Sequence, residues 1–462
     1  MRSFSLTLAV LLAGTALATS LKAEETARAY PATVEGHVVL PAATYIQPPA
    51  DAPADLKVAG KFTAPDRSRN DQVGSVPGVS FLSPKDAPRA TGISMPFPGQ
   101  AVQGFSGIVN EGNGTFLVIT DNGFGSKFNS PDAMLMVHRL AMDFKAGTIE
   151  RKETLFLRDP DKKVPFPITF EGTPQRYLTG SDFDIESIQK VGDSLWFGEE
   201  LGPFLVETDL TGKVKGVYAT KVDGKVVRSP DNPAITTPPN PSRKVAFEIQ
   251  RSKGFEGMAL SPDGTKLYAL LEGPVLNPET GEKEKVDGVE VLRILEFDLQ
   301  KKDWTGRFWK YPLSVAGNAI GDFNMIDATS GLIIERDDVS EGTPSKRCPE
   351  GKVASDCFDK TAQFKRVYKV EFSPETAGQL VRKVGYIDLM ALKDPNGKAK
   401  QGGKDGMLDF PFITIENVVM VDPTHIVVGN DNNLPFSAGR DPNKADDNEF
   451  VLLEVGELLK AK

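Results

Sequence analysis

Short apolar runs recur along the chain from about Gln103 onward, and each pair of runs is separated by a turn rich in Gly or Asp. β-Branched and aromatic residues dominate both runs, which is typical of two antiparallel strands joined by a tight turn. Five copies of this pattern are present, the fourth being degenerate. Their first runs lie at residues 104–109, 182–188, 254–260, 321–326 and 412–419. Each copy therefore predicts a β-hairpin.

The spacing of the copies predicts the architecture. If Ser106, Glu186, Glu256, Asn324 and Glu416 are equivalent, the intervals between copies are 80, 70, 68 and 92 residues. A minimal propeller blade repeats every ~40 to 50 residues. We therefore expect an all-β chain that forms a single β-propeller of six or seven blades with long loop insertions, because radial repetition leaves few strand edges exposed. Third strands are expected at 293–298 and 366–372.

The chain divides into three parts. Residues 1–23 combine a positive start, an apolar core and small residues around Ala18 and Ala23, which is typical of a secretory signal peptide cleaved after one of these alanines. Residues 24–100 predict N-terminal strands and loops, and residues 101–458 predict the propeller. The run at 449–454 is expected to pair with an N-terminal strand and close the ring. We expect an exported protein, periplasmic or extracellular, with no stable membrane insertion.

Composition narrows the possible partners. The 43 glycines and 34 prolines favour many turns, and 40% hydrophobic with 25% charged residues excludes disorder throughout. The net charge of −9 argues against nucleic acid as a partner and suits cations. The two cysteines, Cys348 and Cys357, form a disulfide in an oxidising compartment or else stay as surface thiols. The sequence leaves the oligomeric state open.

Acidic residues occupy fixed places in the hairpins. A polar or acidic residue on the first strand is followed 14 to 16 residues later by an acid on the second. This offset places both at the same end of a blade, so a ring of blades gathers carboxylates at one mouth of the channel. Their repulsion favours bound cations, and Ca²⁺ prefers such oxygen ligands. The predicted metal ligands, unless they only cap turns or face water, are Asp121, Asp182, Asp184, Glu186, Glu200, Glu256, Glu272, Glu416 and Asp431.

Other catalytic motifs are missing from the sequence. No nucleophile elbow, phosphate-binding P-loop or His-Glu-x-x-His pair is present. Paired carboxylates also serve glycoside hydrolysis, but aromatic residues make up only 8% of the chain. Basic residues near the acids are either phosphate clamps or salt-bridge partners. These residues are Lys127, Arg176, Lys253, Arg336 and Arg440.

Several of these segments resemble the phytase-like family, described as having esterase-like activity of phytase. The matching segments are residues 104–108, 120–123, 178–187, 198–204, 254–259, 415–417 and 430–437, with Arg440. The resemblance implies an exported β-propeller. It also implies phosphoester hydrolysis in which calcium binds the phosphate and activates water.

The leading hypothesis is a calcium-dependent hydrolase of small phosphorylated or otherwise acidic esters. Glu186 and Glu256 are the predicted catalytic acids, and Arg176 and Arg440 are predicted to assist the phosphate. One alternative is a non-catalytic, calcium-stabilised binding or scaffold propeller. Another is a lactonase-like propeller hydrolase, which would share the axial metal but act on uncharged cyclic esters.

Overall fold

A computed structural model describes residues 27–235 and 246–462. The predicted signal peptide lies outside these ranges. Within them the chain consists almost entirely of short strands and loops. No helix in the described ranges is long and apolar enough to cross a membrane.

The strands follow one another closely along the chain. The first ten are β1 (Arg28–Ala29), β2 (Thr33–Leu40), β3 (Tyr45–Ile46), β4 (Val76–Val79), β5 (Ala90–Met95), β6 (Gln100–Ala101), β7 (Phe105–Gly112), β8 (Thr115–Thr120), β9 (Met136–Asp143) and β10 (Thr148–Phe156). The next eleven are β11 (Ile185–Val191), β12 (Ser194–Glu199), β13 (Phe204–Asp209), β14 (Val214–Ala219), β15 (Lys221–Val222), β16 (Lys225–Val226), β17 (Phe255–Leu260), β18 (Lys266–Leu271), β19 (Lys285–Val286), β20 (Val289–Asp298) and β21 (Asp303–Pro312).

The remaining strands are β22 (Ala319–Met325), β23 (Ser330–Arg336), β24 (Lys365–Glu371), β25 (Arg382–Asp388), β26 (Leu392–Lys393), β27 (Gly403–Lys404), β28 (Met407–Leu408), β29 (Ile415–Asp422), β30 (His425–Asn430) and β31 (Asn448–Glu454). One α-helix, α1 (Gly456–Lys460), follows β31. Short 3₁₀ turns lie at Ala54–Lys57, Pro344–Lys346 and Pro374–Thr376.

The described part of the chain forms five sheets of four or more strands and three two-stranded sheets. Each of the five larger sheets contains a predicted hairpin, so all five hairpins are confirmed: β7–β8, β11–β12, β17–β18, β22–β23 and β29–β30. The first strands contact one another in a closed cycle from β7 through β11, β17, β22 and β29 back to β7. This is a propeller-like arrangement around a central axis. Six or seven blades are not confirmed, because the described residues form five such sheets.

The fifth sheet joins the two ends of the described chain. Strand β2 pairs antiparallel with β31, from Thr33 opposite Glu454 to Leu40 opposite Asn448. The predicted closure of the ring by an N-terminal strand is therefore confirmed. The predicted third strands are also present, as parts of β20 and β24.

The apolar core lies between the faces of neighbouring sheets. Trp309 and Tyr311 of the third sheet are fully buried and pack with Phe323 and Tyr368 of the fourth. Side chains of this size each contribute ~1.5–3 kcal/mol when they leave water. This packing holds the sheets around the axis and so fixes where their first strands end.

Long connections account for the wide spacing of the copies. Residues 337–364 link β23 to β24, and within them Cys348 and Cys357 form a disulfide with an S–S distance of 2.01 Å. The predicted pairing of the two cysteines is confirmed. The bond closes a loop of the fourth sheet.

Candidate metal centre

Three glutamates meet at one end of the axis. Glu186, Glu256 and Glu416 are each the second residue of their strands, β11, β17 and β29. Because the first strands contact one another around the axis, equal positions on them converge. The three side chains are buried, and one carboxylate oxygen from each lies within 4.8 Å of the others.

In four of the five hairpins the second strand adds an acid at the same end. Asp121, Glu200, Glu272 and Asp431 each directly follow the last residue of β8, β12, β18 and β30. Two further groups of three result, each with oxygens within 4.8 Å of one another: Asp184, Glu186 and Glu200, and Glu200, Glu256 and Glu272. We call the six residues of the three groups the carboxylate cluster. They are Asp184, Glu186, Glu200, Glu256, Glu272 and Glu416.

Asp121 and Asp431 lie beside the cluster and are fixed by backbone donors. The Gly123 amide donates to Asp121 Oδ1 at 2.9 Å, and the Asn433 amide donates to Asp431 Oδ1 at 2.7 Å. Burial raises the pKa of Asp121 well above its usual range, and the charges of Asp431 and Asp184 raise it further. Gly104 has φ +64°, and a Cβ there would lie 2.2 Å from Asp121 Oδ1. Glycine is therefore needed where β7 begins.

Burial and the closeness of other acids both raise the pKa of the cluster carboxyls. Burial raises the pKa of Glu186 well above its usual range, and the charges of Asp184 and Glu256 raise it further. The pKa of Glu256 is raised in the same way by burial and by the charges of Glu416 and Glu272. Such closely spaced acids cannot all ionise without a cation. The donor set consists of carboxylate oxygens, which fits a hard ion such as Ca²⁺.

Arg336 is the basic residue that reaches into the cluster. Its Nη2 donates to Glu416 Oε1 at 2.9 Å and lies 3.7 Å from Glu272 and 3.8 Å from Glu256. Lys253 approaches from the side, with Nζ 2.7 Å from Glu272 Oε2. The sequence showed both residues as candidate clamps, but it gave no reason to prefer them.

The register of the fourth hairpin explains how Arg336 comes to reach the cluster. Phe323 of β22 pairs with Ile333 of β23, ten residues on, just as Val418 pairs with Val428 in the fifth hairpin. Counted from these pairs, the position equivalent to Glu416 is Gly321, not Asn324, and the position equivalent to Asp431 is Arg336. The fourth sheet thus supplies a glycine where the fifth supplies a glutamate, and an arginine where the fifth supplies an aspartate.

Besides Asp121 and Asp431, which lie beside the cluster, three predicted site residues lie outside it. Asp182 accepts hydrogen bonds from the backbone amides of Thr169 at 2.7 Å and Thr179 at 2.8 Å, which fix the loop before β11. Arg176 forms an ion pair with Asp159 at 2.9 Å. Their polar atoms hold loops in place and do not face the cluster acids.

Arg440 is also engaged elsewhere. Its Nε and Nη2 donate to the two carboxylate oxygens of Glu449 at 2.9 and 2.7 Å, and Nη1 donates to the backbone oxygen of Asp409 at 2.7 Å. This bidentate pair lies in the fifth sheet. The structure therefore brings together Glu186 and Glu256 but neither of the arginines predicted to act with them.

Comparison with known proteins identifies the family. The family described as Phytase-like, esterase-like activity of phytase, matches residues 100–434. The chain belongs to this phytase-like family. The matched range contains every member of the carboxylate cluster, together with Arg336 and Lys253.

One curated relative is an uncharacterized secreted protein of Arthroderma benhamiae, which is 27% identical over 184 residues. The alignment covers 33% of this chain and 35% of the relative, so the chain spans about a third of the relative's length.

Solved structures with partial similarity include a luciferin-regenerating enzyme, at 11% identity and a TM-score of 0.32, covering 90% of this chain and 95% of that one. The periplasmic gluconolactonase of Pseudomonas aeruginosa has 11% identity and a TM-score of 0.30, with 81% and 98% covered. The PQQ-bound aldose sugar dehydrogenase of Streptomyces coelicolor has 10% identity and a TM-score of 0.29, with 77% and 95% covered. Scores this low support no inference about this chain.

Proposed function

We propose that this phytase-like protein is an exported, metal-dependent ester hydrolase, with Ca²⁺ as the metal and small phosphorylated or acidic esters as substrates. The observation that carries the proposal is the convergence of three overlapping groups of three carboxylates at one buried end of the first strands. Membership of a family named for esterase-like activity supports the reaction class. The disulfide and the secreted relative support export.

The residues of the cluster and Arg336 have different expected roles in the reaction. Glu186, Glu200 and Glu256 each belong to two of the three groups, so they lie at the centre of the cluster. A divalent ion bound there would polarise the ester and lower the pKa of an attacking water. A cluster carboxyl that burial and its neighbours keep protonated can give its proton to the leaving oxygen. Arg336 adds a positive charge that stabilises the negative charge developing on the substrate.

The test is hydrolysis by metal-stripped protein into which Ca²⁺ is titrated back. The substrates are phosphomonoesters, phytate, carboxylic esters and lactones, and thermal melting is followed in parallel. We expect calcium to restore phosphate release. A rise in melting temperature without turnover of any substrate would overturn the proposal and leave a non-catalytic, calcium-stabilised protein.

Variants connect the activity to the cluster. Glu186→Gln and Glu256→Gln keep the shape of the side chain but remove its charge, so turnover is expected to fall at least ~100-fold with the fold intact. Glu296→Gln is the matched control, because Glu296 is a buried glutamate of the third sheet that pairs with Arg307 at 2.6 Å. Its turnover is expected to equal that of the unaltered protein. Full activity in both cluster variants would contradict the assignment.

A further inference from the structure

Positive charge is distributed unevenly over the carboxylate cluster. Arg336 Nη2 lies within ion-pair distance of Glu256, Glu272 and Glu416. No lysine or arginine nitrogen of the described residues lies within that distance of Asp184 or Glu186. The cluster therefore has one side with a fixed cation and one side without.

The guanidinium lies against two of the three groups. One group contains Glu256 and Glu416, and another contains Glu256 and Glu272, so each has two members in contact with Arg336. A divalent ion in either group would have to sit beside an existing positive charge. Only the group of Asp184, Glu186 and Glu200 consists of residues that Arg336 does not contact.

Arg336 also has an unused donor. The side chain is 3% exposed, and its Nε has no hydrogen-bond acceptor among the described residues. A buried donor without a partner is energetically unfavourable. An anionic oxygen supplied by a ligand would satisfy this donor, and arginine is well suited to binding such oxygens.

We propose that Arg336 is a fixed cation that takes one of the cluster's cation positions. The exchangeable divalent ion binds in the group of Asp184, Glu186 and Glu200, and an anionic oxygen of the substrate binds at the guanidinium. The inference rests on the proposed function for the presence of a divalent ion and of an anionic substrate. It adds where each of them binds and what limits the number of ions.

The first experiment counts calcium ions. Ca²⁺ stoichiometry is measured by calorimetry and metal analysis on the full-length mature protein, Arg336→Met and Arg336→Lys. We expect Arg336→Met to bind one more Ca²⁺ per chain than the unaltered protein, and Arg336→Lys to bind the same number because it keeps the charge. An unchanged number in Arg336→Met would overturn the proposal.

The second experiment locates the ion and does not depend on the folding of Arg336→Met. Glu186→Gln is expected to weaken Ca²⁺ binding ~100-fold, because a ligand is lost. Glu272→Gln, which removes an acid beside Arg336, is expected to change it by less than ~3-fold. Equal weakening by both changes would contradict binding on the cation-free side.

The third experiment tests the anion with inorganic phosphate as the probe. Lysine keeps the charge of Arg336 but has no second donor in a rigid fork, so Arg336→Lys is expected to bind phosphate about tenfold more weakly in the presence of Ca²⁺. Equal phosphate affinity would overturn the anion part of the proposal. If Arg336→Met binds one more Ca²⁺ but the protein hydrolyses no ester, the proposed function is wrong and this inference stands. If Arg336→Met binds the same number of Ca²⁺ ions and the protein hydrolyses esters, this inference is wrong and the proposed function stands.

Discussion

Two buried glutamates of this protein, Glu256 and Glu449, differ in what surrounds them. Glu256 is 4% exposed and Glu449 is 0% exposed. Burial raises the pKa of Glu256, and the neighbouring acids raise it further. Burial also acts to raise the pKa of Glu449, but the charge and hydrogen bonds of Arg440, with those of His37, outweigh it and lower the pKa to about 2.

The difference shows that burial alone does not mark a functional acid. The fifth sheet gives Glu449 a bidentate arginine, which satisfies both carboxylate oxygens. At the carboxylate cluster, Arg336 is shared among the three cluster acids Glu256, Glu272 and Glu416 and also pairs with Asp338. One buried acid of this fold is fully paired, whereas the cluster acids face one another. Their repulsion lowers the stability of the folded state locally, which is typical of a binding site.

The largest expected effect on stability comes from breaking the ion pair of Arg440 with Glu449. Arg440→Met leaves the buried Glu449 without its arginine and with His37 as its remaining basic neighbour, and we expect the free energy of unfolding to fall by ~3–5 kcal/mol. Urea unfolding of the mature protein measures it. The double change Arg440→Met with Glu449→Leu is the control and should recover most of the loss. A loss below ~1 kcal/mol in the single variant would show that the pair contributes little.

The pH dependence of the free energy of unfolding distinguishes a buried acid with a raised pKa from one with a lowered pKa. Burial, followed by the charge of Glu341, raises the pKa of Asp446 from 3.8 to about 7. The folded state therefore binds the extra proton, and the free energy of unfolding falls as pH rises from about 4 to about 7. Glu449 acts oppositely: its stabilisation is present above pH 4.5 and is lost as pH falls towards about 2.

The variant Asp446→Asn tests whether Asp446 causes the free energy of unfolding to fall as the pH rises. One pKa unit corresponds to ~1.4 kcal/mol, so the variant should remove up to a few kcal/mol of the loss between pH 4 and 7. Urea unfolding at pH 4, 5.5 and 7 in a chelator compares its slope with that of the unaltered protein. Identical slopes would contradict the raised pKa.

A smaller effect is expected where like charges face one another. In chelator at neutral pH, Glu256→Gln removes one member of the crowded cluster, and we expect the free energy of unfolding to rise by ~1 kcal/mol. A variant that is less stable in chelator would mean that the cluster acids do not repel one another.

The smallest effect is expected at an exposed pair. Arg69 contacts Asp55 and Asp71, and all three side chains are about half exposed. Solvent screens such charges, so Arg69→Ala should leave the melting temperature unchanged within error. A clear drop would show that geometry, rather than burial, makes the Arg440 pair important.

Much of this fold could be predicted from the sequence because the hairpins repeat. Strand periodicity and the constant acid offset lead directly to the acids that follow β8, β12, β18 and β30. The blade count could not be obtained from the period, because insertions such as residues 337–364 lengthen it without adding a sheet. Counting the five copies themselves matches the five sheets that the described residues form.

The predicted site residues that the structure places outside the cluster lie there for local reasons. Asp182 alternates with Asp184 in the sequence, but β11 begins only at Ile185, so the two acids lie in a loop where strand alternation does not apply. The role of Arg336 could not be predicted from the degenerate fourth copy. The register of β22 against β23 places this side chain, and the side-chain pattern does not show that register. Side chains that hold loops, such as Arg176, look the same in sequence as side chains that bind ligands.

The pairing of β2 with β31 has a consequence for the order of assembly. A growing chain can complete the first four sheets before residues 448–454 exist, but the fifth sheet needs strands from both ends. Until those late residues arrive, Glu416 and Asp431 have no closed ring to hold them beside Glu256 and Asp121. The carboxylate cluster is therefore completed last, when the synthesis of the chain has reached the final strand.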